Sequence, residues 1–113
     1  MEETIARFTA VLEDPYAAIV ATKKTQERKI FGCAPMHFPE ELIYAAGLLP
    51  VVLQESSEPV TAGYSYIPPF YCGFIRSLVD LAAKGKLSFL DGLIFPDTCL
   101  QMRGVFGIFQ VSF

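Results

Sequence analysis

Runs of apolar and polar residues along the chain alternate between two periods. Glu2 to Glu13 places Ile5, Phe8 and Leu12 at helical spacing, with Glu3, Arg7 and Glu13 off that stripe, which predicts a first helix. Asp14-Pro15 restarts the chain, aspartate suiting an N-cap and proline the first helical position. A second helix through Ala17, Ala18 and Ala21 is expected to fade into the charged patch from Lys23 to Lys29. Lys29 to Gly32 reads as a short strand ending at the break Cys33-Ala34-Pro35.

Phe38 to Gly47 is the clearest helix. Pro39 opens it, Glu40 and Glu41 suit the positive end of its dipole, and Gly47 closes it. Pro50 to Leu53 reads as a second buried strand, and residues 54–69 as a long polar loop, a length more often functional than idle. A helix from about Phe70 to Lys84 aligns Tyr71, Ile75, Leu78 and Ala82, with Arg76 and Asp80 as an exposed i,i+4 pair. Leu87 to Asp91 then crosses to a third strand, Leu93 to Phe95, which Pro96 terminates.

Helix and strand therefore alternate. The expected fold is α/β: a short three-layer parallel sheet of about three strands, Rossmann- or flavodoxin-like, with N-terminal helices. The expected division is a helical segment over 1–28, an α/β domain over 29–103 and an apolar tail over 104–113. In that tail Gly104 and Gly107 interrupt the helical pattern. Val105, Phe106, Ile108, Phe109, Val111 and Phe113 find no polar partner face. So much unpaired apolar surface leads to the expectation of a truncated or frame-shifted end.

Composition narrows the classes. A length of 113 residues suits one small domain, and 52% hydrophobic residues supply a core. A net charge of −3 with no basic stripe argues against nucleic acid and against a polybasic membrane anchor. No apolar run approaches the ~20 residues that cross a bilayer. The acidic start Met1-Glu2-Glu3 does not suit a secretory or transit signal, so a reducing cytoplasm is expected.

The candidate chemistry lies in Cys33, Cys72 and Cys99. They form no CxxC, and His37 is the single histidine, so a tetrahedral zinc site is poorly supported. Each cysteine alone is more often a small buried hydrophobe than a ligand. Their placement changes the weighing. Cys33 follows the first strand, Cys72 opens a helix and Cys99 follows the last strand, so a parallel sheet brings all three to one edge. Two of them sit at helix starts, a position that favours thiolates, the ligands of iron–sulfur clusters.

Three blocks extend this reading. Gly32-Cys33-Ala34-Pro35 with Pro39-Glu40-Glu41-Leu42-Ile43-Tyr44-Ala45-Ala46-Gly47-Leu48-Leu49-Pro50-Val51 comes first. Tyr71-Cys72-Gly73-Phe74 with Arg76-Ser77 comes second, and Asp91-Gly92 with Pro96-Asp97-Thr98-Cys99 third. In that order, across roughly residues 15–103, they resemble the 2-hydroxyacyl-CoA dehydratase and benzoyl-CoA reductase subunits. The resemblance implies a longer subunit paired with a homologous one and carrying a [4Fe–4S] cluster held by three cysteines. Cys72 and Cys99 match the first two ligands, and the third belongs to a C-terminal half that this chain lacks. Cys33 matches no regular ligand and stands as a third candidate thiol. Glu41 is a weak candidate for substrate orientation or proton transfer, beside its plainer role at a helix start.

The implied activities are dehydration of (R)-2-hydroxyacyl-CoA through a ketyl radical, or dearomatisation of benzoyl-CoA. An ATP-hydrolysing iron–sulfur activator supplies the electron. Leu100 departs from the family's pattern, which commonly has an aspartate after the second cysteine. With half a cluster site, the piece is expected to be inactive alone. Two other readings stand beside this one: a non-catalytic α/β interaction module dimerising through the apolar tail, and a thiol-redox domain, weak without a CxxC.

Overall fold

The computed structural model describes residues 1–35 and 37–113. The described residues form α1 (Glu2–Glu13), α2 (Ala17–Gln26), β1 (Ile30–Cys33), α3 (Glu40–Ala45), β2 (Leu49–Val52), a 3-10 turn (Ala62–Ser65), α4 (Gly73–Ala83), β3 (Gly92–Ile94) and α5 (Leu100–Ser112). Both pairings of the three-stranded sheet are parallel and its order is β2-β1-β3. Ile30 faces Leu49 and Phe31 faces Gly92 in the register. The α/β class and the parallel sheet therefore stand as expected.

The order has a consequence for where a ligand belongs. β1 leads through α3 to one neighbour, and the chain then crosses back over β1 to reach β3 on the other side. Right-handed crossovers running in opposite directions put α3 and α4 on opposite faces. The reversal falls between β1 and β3, and open α/β sheets hold their ligands outside the carboxyl ends of the strands at such a point.

The core lies where α4 and α5 meet the sheet. Ile75, Leu78, Val79, Met102 and Val105 are almost completely buried there, together with Ala34 and Leu53 from the ends of β1 and β2. Three local devices fix the frame. Gly47 takes a φ of +80° and Leu48 N–H bonds back to the Ile43 carbonyl, stopping α3 as its glycine predicts. Asp91 accepts a hydrogen bond from Ile30 N–H at 2.8 Å and pairs with Lys23 at 2.8 Å, tying α2 and the start of β3 to β1. Ser77 Oγ accepts a hydrogen bond from Ser56 N–H at 2.8 Å, holding the polar loop against α4.

The structure corrects several expectations. α2 fades out at Gln26 within the charged patch, as expected, but it starts at Ala17, not at Pro15. Asp14 still serves that start, because its carboxylate accepts the Tyr16 N–H at 3.1 Å. β3 ends at Ile94, one residue short of Phe95. Arg76 and Asp80 do not pair. Asp80 is 4% exposed, pairs with Lys84, and accepts hydrogen bonds from Thr61 N–H at 2.8 Å and Gly63 N–H at 2.9 Å. Burial pushes the Asp80 carboxyl up, but the Lys84 hydrogen bond and the two N–H groups outweigh it and hold it below the usual aspartate range.

The helical pattern that Gly104 and Gly107 were expected to interrupt runs on as α5 through Ser112, with Val105 and Phe109 facing the core while Phe106, Val111 and Phe113 stay exposed. Two glycines cost a helix about 1 kcal/mol each, less than burying Met102, Val105 and Phe109 on one stripe returns. α1 forms as expected yet buries nothing: Ile5, Phe8 and Leu12 are 58%, 69% and 82% exposed. Among the described residues no helix is long and apolar enough to cross a membrane.

Candidate functional site

Cys72 and Cys99 hold the same local position in two different helices. Cys72 is the N-cap of α4 with φ −60° and ψ 157°, and Cys99 is the N-cap of α5 with φ −157° and ψ 162°. Both are exposed. Cys99 Sγ accepts a hydrogen bond from Met102 N–H at 3.4 Å, so the sulfur does the work an oxygen does in an ordinary N-cap.

Two contacts bring these helix starts together. Cys72 N–H donates to Gln101 Oε1 at 2.9 Å, and Gln101 lies two residues after Cys99. The adjacent Tyr71 packs over α5 one turn further on. A Cβ added at Gly104 would stand 2.8 Å from the Tyr71 hydroxyl, so a larger residue there would make the Tyr71 ring shift. The Asp97–Arg103 pair, with two hydrogen bonds between carboxylate and guanidinium, braces the turn that presents Cys99.

The other residues singled out by the sequence lie differently. Cys33 ends β1 and is 2% exposed. Burial pushes its thiol up, the charge of Glu40 adds to this, and a hydrogen bond with the Val51 backbone opposes it without cancelling it. A neutral, enclosed thiol suits a core position better than ligation. Glu41 is exposed in the first turn of α3. Among the described residues, no three histidine, cysteine, aspartate or glutamate side chains gather where they could hold a metal ion.

Gln101, Tyr71 and Gly104 are the parts that sequence reasoning missed. Their signal is weak. Gln101 sits in the first turn of a helix that the glycines disguise, and Tyr71 reads as an ordinary core position. Glu55 was also overlooked: its Oε1 lies 3.0 Å from where a Cβ at Gly73 would stand, beside the start of α4. Two clefts of about 660 and 810 Å³ open elsewhere, one beside β3 and α5 and one at the α1–α2 junction, and no cysteine lines either.

A family model described as 2-hydroxyglutaryl-CoA dehydratase, D-component, matches residues 35–113, from the end of β1 through α5. The chain belongs to this family. It is 33% identical over 109 residues to the beta subunit of the (R)-2-hydroxyglutaryl-CoA dehydratase of Acidaminococcus fermentans, covering 96% of this chain and 28% of that one. It is 30% identical over 115 residues to a subunit of the benzoyl-CoA reductase of Thauera aromatica, covering 98% and 30%. It is 29% identical over 96 residues to the beta subunit of the (R)-phenyllactyl-CoA dehydratase of Clostridium sporogenes, covering 85% and 26%. The chain thus spans under a third of the length of these relatives.

Proposed function

We propose that this chain is the N-terminal cluster-binding portion of a subunit that dehydrates (R)-2-hydroxyacyl-CoA or reduces benzoyl-CoA, and that Cys72 and Cys99 are two thiolate ligands of its [4Fe–4S] cluster. The observation that carries the reading is the hydrogen bond from Cys72 N–H to Gln101, which joins the two cysteine-capped helix starts. The donor chemistry fits: two exposed thiols at neighbouring helix N-caps are soft ligands of the kind iron–sulfur clusters take. Further ligands come from outside the described residues. When bound, such a cluster supplies one-electron chemistry and an iron able to act as a Lewis acid.

This chain's own residues do the holding. Gln101 fixes the Cys72 backbone, Met102 N–H supports the Cys99 sulfur, and Tyr71 on Gly104 keeps the two helix starts in register. Outer contacts of this kind orient ligands and tune what they bind. Cys33 is a core thiol in this reading, and Glu41 stays a candidate for contacting substrate. The partners are a homologous second subunit, an ATP-hydrolysing iron–sulfur activator and an acyl-CoA, in a cytoplasmic setting.

Anaerobic reconstitution with iron and sulfide tests the ligands. Visible cluster absorption is expected in the parent chain and in Cys33→Ser, and is expected to fall sharply in Cys72→Ser and in Cys99→Ser. Equal absorption in all four proteins refutes the assignment.

A further inference from the structure

Arg76 differs from the cations that find partners in the described structure. Lys23 pairs with Asp91, Lys84 with Asp80 and Glu58, Lys86 with Glu58, and Arg103 with Asp97. Arg28 donates to the carbonyls of Gly47 and Leu48 and lies over the Tyr44 ring. Arg76 is half-buried, four residues after the Cys72 N-cap, and among the described residues it meets no carboxylate. Its side-chain hydrogen bond runs from Nη1 to the Tyr64 phenol oxygen at 3.0 Å, and its Nε is buried without a partner. A half-buried guanidinium without a counter-charge is costly, and that cost is relieved when an anion arrives.

We propose that Arg76 and Tyr64 form a binding site for a phosphoryl group. The donors left open decide the class of anion. A planar carboxylate prefers two parallel N–H bonds from one guanidinium edge. Here Nε is buried, which denies an anion the paired Nε–Nη2 donors, and Nη1 already donates to Tyr64. What remains is Nη2 and the Tyr64 O–H, whose oxygen accepts from Arg76 and whose proton is therefore free to point outward. Two donors from separate directions suit separate oxygens of a tetrahedral oxyanion.

Tyr64 is half-exposed on the 3-10 turn within the long polar loop, so the pair opens to solvent. The Glu55 carboxylate already lies beside the first residue of α4, which directs an anion to the Arg76–Tyr64 pair and away from the helix end. The source of the phosphate rests on the function proposed above, because an acyl-CoA carries phosphates on its nucleotide portion. The site itself does not depend on the cluster.

The whole chain is titrated with inorganic phosphate, coenzyme A and dephospho-coenzyme A, reading affinity by calorimetry and the Arg76 Nε–H resonance by NMR. Saturable binding is expected, weakened roughly 10-fold or more in Arg76→Gln and about 3- to 10-fold in Tyr64→Phe. Tyr64→Phe keeps the guanidinium and serves where Arg76→Gln does not fold by circular dichroism. Coenzyme A binding more tightly than dephospho-coenzyme A assigns the nucleotide 3′-phosphate as the ligand. Equal binding of phosphate and both cofactors assigns a free phosphate. Cys72→Ser and Cys99→Ser are expected to leave these affinities unchanged, so failure of the cluster reading and failure of this site are distinguishable. Absence of saturable binding, affinities unchanged in both variants, or equal competition by acetate overturns the proposal.

Discussion

Helix α1 aligns Ile5, Phe8 and Leu12 and buries none of them, whereas α5, with two glycines in its path, buries Met102, Val105 and Phe109. The difference lies in what each helix is attached to. α5 follows β3 across five residues and is turned back onto the sheet, where α4 already waits. α1 precedes the whole sheet and is joined only to α2. A regular apolar stripe thus states what a helix is able to bury, and the connection to a strand determines whether it does. Gly104 belongs to the same lesson, since it weakens α5 as a helix and lets Tyr71 settle beside the cysteine-bearing helix starts.

The sharpest way to break this comparison is to truncate one residue in each helix. Met102→Ala is expected to lose about 2–5 kcal/mol in urea unfolding, because Met102 is almost fully enclosed by the core. The matching change in α1, Phe8→Ala, is expected to stay within about 0.5 kcal/mol, as for a surface site. A large loss from Phe8→Ala would mean that α1 is packed after all.

Asp80 sharpens the account at the next level. Asp80→Asn is expected to lose about 1–3 kcal/mol at neutral pH by weakening the bonds to Lys84, Thr61 and Gly63. The Asp80 carboxyl is held low in the folded chain, so its contribution is complete above the ordinary aspartate range and is lost as pH falls through the lowered native value. The gap between parent and Asp80→Asn is therefore expected to start narrowing only below about pH 4 and to close below the lowered native value. A gap that widens on acidification would contradict this assignment. The smallest effect is expected from Gly104→Ala. The gain in helix propensity and the displacement of Tyr71 oppose each other, leaving a net change within about 1 kcal/mol. The variant is expected to alter the environment of Tyr71 in NMR spectra even where its stability is unchanged.

Much of the frame was legible in the residues. Short apolar runs marked the three strands to within a residue or so, and Pro39 and Gly47 marked the ends of α3. What escaped depends on contacts between distant positions. Asp80 reads as one half of an exposed pair until Thr61 and Gly63, 19 and 17 residues away, are folded against it. Gln101 reads as a surface residue until Cys72, 29 residues earlier, presents its N–H. The placement of Cys72 and Cys99 at helix starts followed from proline and turn signals, but the contact between those starts did not.

That contact is the heart of the functional reading, and it is open to measurement without any metal. A bimane reagent with two alkylating arms fluoresces only after both arms have reacted with thiols. Treated with it under reducing, native conditions, the parent chain and Cys33→Ser are expected to fluoresce, with Cys72 and Cys99 joined in one peptide by mass spectrometry. Cys72→Ser and Cys99→Ser are expected to remain dark. A parent chain that takes up two separate labels without fluorescence would show that the two thiols do not converge, and would contradict a shared centre.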